Sequence, residues 1–395
     1  MLDIHNYKRM LERLTERIEK EENFSKEDRE IALGFKDELL ANNISLPKVG
    51  RYLQNIIWFN RIFKKNFSDA TTADIKRVIS NLNQSDYSEW TKKGHKVFLR
   101  KLYKFIRGVD KKGEYPPEVA WYTVTISHNK KKMPEELLTD DEMRRIIQAC
   151  TCGRDRALMA VLCESGCRIG EGGSMKIKHI SPEQHGVRIT IDGKTGMRKI
   201  LVVSSAPYIQ TWINHHPNNE DSNQPLWINY QGNPLSYASI SHILKQAAKR
   251  AGIKKRVYPH LLRHSRATIL AKFMTEAALK YYLGWAQGSK MAGVYIHMSG
   301  KDTDDAILLA NGLEVKKETR ISRLIPATCL KCGIKNEMTN KFCKSCGTPL
   351  NSKEAERMIE EDAEKNKTNE LMNEFVKNPE FLQMLVKKMA EMNTI

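Results

Sequence analysis

PHLLRHSRAT, residues Pro259–Thr268, is the stretch that decides how the rest of this chain is read. A proline suits the first position of a helix, so Pro259 marks a start. His260 and Arg263 then stand three residues apart and share one face of the first turns. A helix N-terminus offers backbone N–H donors and a favourable dipole to an anion. Arginine adds a planar fork that pairs two phosphate oxygens and keeps its charge. Moving outward, four further segments supply reactive side chains in a fixed order. CRIGE (Cys167–Glu171) brings Arg168, and DGKTG (Asp192–Gly196) brings Lys194 at the tip of a hairpin turn. LGW (Leu283–Trp285) brings Trp285, and VYIH (Val294–His297) brings Tyr295. Singly, each has an ordinary reading: a surface charge for Arg or Lys, a satisfied helix residue for His260, core packing for Trp285. The ordered set of six, Arg168, Lys194, His260, Arg263, Trp285 and Tyr295, outweighs those readings.

Breaking a phosphodiester without a metal requires an in-line nucleophile, cations on the non-bridging oxygens, and an acid for the departing 5′ oxygen. Tyr295 is the candidate nucleophile. A phenol ionises near pH ~10, so it needs neighbouring cations or a base such as His260 to react near neutrality. Arg168 and Arg263 form the clamp. Lys194 can reach out from its turn and donate a proton. Trp285 contributes one indole N–H and a packing surface. Tyr281 and Tyr282 precede the LGW segment and are poor candidates for the nucleophile.

On these motifs, residues of about 139–312 resemble the catalytic domain of tyrosine recombinases, the integrase family. Residues 1–115 resemble that family's helical core-binding domain. With the cysteine segment described below, the chain looks most like archaeal-type integrases. The resemblance covers roughly the first 350 residues. It implies that Arg168 and Arg263 are the two catalytic arginines, with Glu171 supporting the first. It makes Lys194 the β-turn lysine, His260 the first histidine, and Tyr295 the nucleophile. Trp285 stands where many members carry a second histidine, which retains an N–H donor but removes a titratable group. The resemblance further implies a 3′-phosphotyrosine intermediate, no ATP and no catalytic metal. It implies a homo-tetramer around two double-stranded DNA sites, and a helix within residues 300–314 that docks on a neighbouring subunit.

Composition agrees with a polyanionic partner. The 395 residues are 41% hydrophobic and 28% charged, with a net charge of +18, enough for real cores and for phosphate binding. From Gly347 onward 7 Lys+Arg face 10 Asp+Glu, a local charge of −3, so the basic surplus lies earlier. No segment reaches the ~18–20 apolar residues of a membrane span. The N-terminal residues alternate charges at helical spacing and lack a signal-peptide core. A cytoplasmic, chromosome-associated protein without membrane contact is expected.

The expected fold class is mainly α with a small β-sheet. Helical periodicity runs through residues 1–115, notably Val49–Phe67, Ala73–Leu82 and Glu89–Gly108. In the last of these Val97, Leu99, Leu102, Tyr103 and Phe105 can face a core. Lys92, Lys93, Lys96, Arg100 and Lys101 stay in water and fit a DNA backbone. Residues 116–138 read as a linker whose Lys130, Lys131 and Lys132 could touch a phosphate. Thr139 with Glu142 forms a capping box that opens the domain of residues 139–312. Two β-rich runs, Val187–Ile191 and Arg198–Val203, flank the DGKTG turn, and helices dominate Pro207–Asn311. A second linker, 313–327, leads to a cysteine segment at 328–350 and an acidic amphipathic helical tail at 351–395.

Cys329-x2-Cys332 and Cys343-x2-Cys346, ten residues apart and each followed by glycine, have the spacing of two zinc knuckles. Four thiolates fill a tetrahedral shell, so one structural zinc is expected and none for catalysis. Such ribbons bind DNA or protein, and the spacing favours neither. Cys150, Cys152, Cys163 and Cys167 read as buried or partly buried thiols. The expected function is site-specific DNA recombination, with integration or excision of a mobile element as its use and an accessory or directionality protein as a partner. Two rivals share parts of this pattern. A type IB topoisomerase-like enzyme would use the same chemistry without needing two matched sites. An architectural DNA-binding protein would not require Tyr295 or Lys194.

Overall fold

A computed structural model describes residues 2–125, 134–193, 195–298, 311 and 326–377, with a few isolated positions beyond. Two compact units divide the chain between Pro134 and Glu135.

The first unit is helical. It contains α1 (Tyr7–Lys20), α2 (Lys26–Ala41), α3 (Leu46–Ile62), α4 (Thr72–Gln84), α5 (Glu89–Ile106) and the short α6 (Pro117–Ala120). Ser25 and Thr71 cap α2 and α4 through their hydroxyls, and the Thr71–Asp74 pair closes a capping box. Phe35, Leu53, Ile56, Phe59, Phe67, Phe98, Leu102 and Tyr103 form a continuous core. Of the residues expected inward on α5, Leu99, Leu102 and Tyr103 are buried and Phe105 packs against the core, whereas Val97 is exposed and His95 and Phe98 are buried instead. The buried set follows the i, i+3, i+4, i+7, i+8 template once His95 is counted as inward. Val119 and Tyr122 are buried in the same core, so the expected linker starts inside this unit.

Arg100 departs from its expected role as a phosphate contact. Its guanidinium donates to the carbonyls of Val119 and Tyr122 and stacks over the rings of Tyr115 and Tyr122, which holds residues 115–122 onto α5. Lys92 also turns inward, donating to the Asn83 carbonyl and pairing with Glu89. Lys93 lies over the exposed Trp90 ring. Lys96 and Lys101 are half-buried. Lys130, Lys131 and Lys132 fall outside the described residues.

The second unit opens with α7 (Asp140–Gln148), whose Thr139–Glu142 capping box is formed in both directions. The buried α8 (Gly153–Ser165) and short α9 (Ile169–Gly173) follow. A three-stranded antiparallel sheet of β1 (Ile180–Glu183), β2 (Gly186–Gly193) and β3 (Gly196–Val202) comes next, with β2 central. The β2–β3 hairpin matches the two β-rich runs; β1 lacks a comparable apolar alternation. Pairs Val187–Val202, Ile189–Ile200 and Ile191–Arg198 share the buried face of that hairpin.

The remaining helices are α10 (Ala206–Asn214), α11 (Tyr237–Arg250), α12 (Pro259–Ala271), α13 (Glu276–Leu283) and α14 (Met291–Met298). Residues 215–236 between α10 and α11 are turns and isolated bridges rather than helix. Buried Glu164 on α8 accepts the backbone N–H groups of Val203, Ser204 and Ser205, placing a carboxylate at the start of α10. Beyond these helices come a small hairpin of β4 (Ala327–Thr328) with β5 (Lys335–Asn336) and a tail helix, Ser352–Lys377. The expected helix within 300–314 lies outside the described residues, apart from Asn311, as do Phe381, Leu382, Leu385 and Met389 of the expected tail face. No described helix is long and apolar enough to cross a membrane.

Candidate active site

Three backbone turns bring the arginines together. α8 ends at Gly166 in the left-handed region, φ +57°, so the chain reverses within two residues and Arg168 becomes the N-cap of α9. α13 ends at Gly284, φ +64°, which turns Trp285 back toward α12. The hairpin closes at Gly193 and Gly196, opposite each other in register.

Glu171 organises the result. Its carboxylate is buried and accepts the Arg168 backbone N–H at 3.0 Å and the Arg168 guanidinium at 2.8 Å. From the other side it pairs with Arg198 at 2.8 Å. Burial alone would raise this carboxyl, but the Arg198 ion pair and the Arg168 donors outweigh it and hold the group below its ordinary value. Arg198 also donates to the Tyr282 carbonyl. It was not anticipated, although a signal existed. In β3 the inward alternation runs Arg198, Ile200, Val202, so an arginine occupies a position that the strand period assigns to the core.

Arg263 sits on the inner face of α12, 5% exposed, and donates to the carbonyls of Gly166 (2.9 Å) and Leu283 (2.7 Å). Arg168 reaches the adjoining carbonyl of Gly284 at 3.1 Å. Among the described residues no carboxylate pairs with Arg263 in a salt bridge. Burial, followed by the nearby charge of Arg168, pulls its pKa down to about 10. Two guanidinium groups are thus held at one spot, with a single buried carboxylate shared among Arg168 and Arg198. An anion with several oxygens would relieve that repulsion.

Trp285 lies beneath the Arg263 guanidinium, 5.4 Å from ring centroid to charge. On it stacks Tyr295, from α14, with centroids 5.3 Å apart and planes 9° apart. Tyr295 is 3% exposed; burial pushes its pKa up to about 12, against the opposing pull of Arg263. Its hydroxyl contacts Nδ1 of His264, a residue that the sequence reading passed over although it lies beside Arg263 in the quoted stretch. His260 is exposed at the start of α12, its ring 6.2 Å from that of His264. Lys194 lies outside the described residues. Its neighbours flank the cluster: Thr195 donates to the Gly284 carbonyl, and a Cβ on Gly193 would collide with Glu171. Tyr281 is exposed and Tyr282 donates to the Leu201 carbonyl, apart from the arginine pair.

The second candidate site is the cysteine cluster. The Sγ atoms of Cys329, Cys332, Cys343 and Cys346 lie within 4.8 Å of one another. Cys329–Cys346 and Cys332–Cys343 are each 3.5 Å apart, near the ~3.8 Å edge of a tetrahedron with metal–sulfur bonds of ~2.3 Å. Gly333 and Gly347 both have φ +70°, and their N–H groups donate to Cys329 and Cys343, closing the knuckles. Buried Asn336 ties them together, donating to the Ile334 carbonyl and accepting the Lys344 N–H. The donor set therefore fits a thiophilic metal. Of the other four cysteines, Cys150, Cys163 and Cys167 are buried, as expected, whereas Cys152 is exposed.

Residues 136–301 match the model of the phage integrase family. A tyrosine recombinase XerD of Bifidobacterium longum is 26% identical over 218 residues, covering 51% of this chain and 68% of that protein. A tyrosine recombinase XerC of Lactobacillus leichmannii is 27% identical, over 44% of this chain and 61% of the relative. Transposase A from transposon Tn554 of Staphylococcus aureus is 27% identical, over 44% of this chain and 51% of the relative. The match thus spans from about half to just over two thirds of these proteins. Among solved structures, the XerH recombinase bound to its difH substrate superimposes with TM-score 0.55 at 19% identity, covering 79% of this chain and 98% of that one. A lambda integrase dimer bound to a core site gives TM-score 0.54 at 19% identity, covering 69% and 77%. These likenesses establish a shared fold.

Proposed function

We propose that this chain, whose residues 136–301 are a phage integrase family domain, is a tyrosine-type site-specific recombinase that cuts and rejoins double-stranded DNA through a 3′-phosphotyrosine. The observation that carries the proposal is the packing of Tyr295 against Trp285, whose ring lies under Arg263, beside the clustered Arg168 and Arg263.

In this reading the two arginines hold the non-bridging oxygens of the scissile phosphate, and each is aimed by carbonyls at the ends of α8 and α13. Glu171 fixes Arg168, and Arg198 fixes Glu171. The Tyr295 oxygen attacks phosphorus as its proton passes to a histidine of α12, and the 5′ oxygen leaves with a proton from Lys194 at the hairpin tip. His260, exposed on the first turn of α12, hydrogen-bonds the phosphate, and the Trp285 indole N–H takes the place of a second histidine. Rejoining is the reverse, so the phosphodiester energy is retained and no ATP is consumed. No step requires a metal.

The finer features follow the family resemblance and the relatives. The first unit would grip the DNA backbone through the outer face of α5, with Lys93, Lys96 and Lys101 as contacts. Lys130, Lys131 and Lys132 would add to that grip. Strand exchange would take place in a homo-tetramer on two sites, as in the lambda integrase tetramer bound to a Holliday junction. The relatives include a transposon protein, which favours integration and excision of a mobile element, with an accessory protein setting direction. The four cysteines would hold one structural zinc, the feature that aligns the chain with archaeal-type integrases. The protein would act on the chromosome in the cytoplasm.

The test is a covalent-adduct trap. Cells expressing wild type or Tyr295→Phe are lysed in denaturing detergent, the protein is recovered, and attached DNA is sequenced. Adducts on one recurring sequence, absent from the Phe variant, are expected. Scattered adducts would turn the reading toward topoisomerase-like relaxation. Their absence from a well-expressed, DNA-binding wild type would overturn it.

A further inference from the structure

The residue nominated as a base from sequence, His260, is not the histidine that meets the nucleophile. One turn further along α12, His264 faces inward, and its Nδ1 contacts the Tyr295 hydroxyl. The two rings are stacked, 5.8 Å between centroids and 29° between planes. Trp285 also stacks on the phenol, 5.3 Å between centroids and 9° between planes. Two rings therefore fix the plane of Tyr295, and one imidazole nitrogen fixes the direction of its O–H. The charged and titratable groups beside the pair are His260, one turn back on the same helix, and Arg263, which favours the phenolate. For the Tyr295 hydroxyl to be the donor, Nδ1 must be unprotonated and the ring proton must sit on Nε2; with the proton on Nδ1 the imidazole donates to the phenol oxygen instead.

We propose that His264 orients the Tyr295 hydroxyl and accepts its proton as the phenol attacks, an assignment that rests on the recombinase reading above. In the forward step the Tyr295 O–P bond forms and the P–O5′ bond breaks. The phenolic proton passes to Nδ1 of His264, and the 5′ oxygen takes a separate proton from the acid on the hairpin. In rejoining, the 5′ hydroxyl attacks and gives up its proton, and His264 returns its own to the departing phenolate. The two histidines of the quoted stretch thereby divide the work, His260 at the phosphate and His264 at the nucleophile.

Two measurements test the assignment, the first without DNA. Full-length protein carrying ¹⁵N-labelled histidine rings is compared by imidazole NMR as wild type, Tyr295→Phe and His264→Asn. The resonance pair that disappears in His264→Asn should report an unprotonated Nδ1, and it should shift in Tyr295→Phe. If Tyr295→Phe leaves that pair unchanged, the contact does not exist and the assignment falls. The second measurement uses the DNA site recovered by adduct trapping, synthesised with either oxygen or sulfur at the bridging 5′ position. A sulfur leaving group needs no acid, so it rescues a defect in leaving-group protonation but not one in nucleophile activation.

His264→Ala should lose at least tenfold in adduct formation on both substrates. His264→Asn, whose side-chain oxygen can accept the same hydrogen bond, should recover part of the loss. Wild-type rates in His264→Ala, or full rescue by sulfur, would overturn the role. Circular dichroism and the NMR spectrum verify that both variants are folded. The NMR result stands independently of any DNA chemistry. An intact contact with no Tyr295 adduct would therefore count against the recombinase reading and the proton-transfer role together, while leaving the orienting contact established.

Discussion

Glu171 and Arg198 show how much of this site depends on residues that touch no phosphate in the proposed mechanism. Both are buried, and the Glu171 carboxylate shares one Arg168 nitrogen, Nη1, with the Gly284 carbonyl. Breaking a buried pair by removing one partner strands the other charge, at a typical cost of about 3–5 kcal/mol. Arg198→Met should therefore unfold at clearly lower denaturant concentration than wild type, and a midpoint within error of wild type would refute the coupling. The carboxyl also sets a pH dependence. Its folded pKa lies below the ordinary 4.5, so the stabilisation is present above about pH 4.5 and is lost as pH falls through the depressed value. Thermal melts of wild type and Glu171→Gln should converge as the pH is lowered below 4 and differ most near neutrality. At Arg263 the demand is for shape as well as charge: two carbonyls must be reached while a phosphate is held. Lysine has a single donor head, so Arg263→Lys should lose at least a hundredfold in adduct formation, roughly 3 kcal/mol in the transition state. A loss below threefold would remove Arg263 from the clamp.

At the scale of elements, motif order and periodicity carried unequal weight. The α12 start at Pro259, the α7 capping box and the β2–β3 hairpin were legible because each is written in local residue types, a proline, a Thr–Glu pair and two β-rich runs around a glycine turn. The start of the inward face of α5 was not, because a buried histidine, stacked on Trp58 at 3.8 Å, begins it and a hydropathy count skips it. Arg198 escaped for the opposite reason. Its polarity reads as surface, and only the strand partner across from it, Ile191, shows that it points inward. His264 was in plain view, but its relation to Tyr295 depends on how α14 packs on α12, which spacing alone does not contain. Gly284 joins these levels. It ends α13 at φ +64°, and a Cβ there would meet the Arg198 guanidinium. Gly284→Ala should destabilise the fold by about 1 kcal/mol for the left-handed backbone alone and also push Arg198 from Glu171. Adduct formation should fall further than the stability loss accounts for, and a variant that melts low but reacts normally would separate the two effects.

For the whole molecule, the cysteine ribbon is chemically separate from the arginine site yet folded against the same unit. Glu337, buried between the knuckles, comes within 3.9 Å of Arg156 on α8, and Lys335 donates to the carbonyl of His185 in the β1–β2 turn. Among the described residues the ribbon has two strands of two residues each, a bridge between Phe342 and Pro349, one buried asparagine and a Lys341–Glu354 ion pair. A module this small has too little core to fold unaided, so a metal held by the four thiolates would supply its folding free energy. Stripping the purified protein with a strong chelator should release close to one zinc per chain, measured with a metal-responsive dye, and expose the four thiols to alkylation. Cys150, Cys163 and Cys167 should remain protected, because burial pushes each thiol well above its usual ionisation range. Cys152, already exposed, should react before and after chelation alike. The Tyr295 adduct should persist in the stripped protein at no less than a third of its loaded level, since every group proposed to move a proton or hold the phosphate lies in residues 168–295. Metal-dependent loss of the adduct, with the thiol pattern otherwise as stated, would instead make the ribbon a brace that the arginine site requires, transmitted through Glu337 and Arg156.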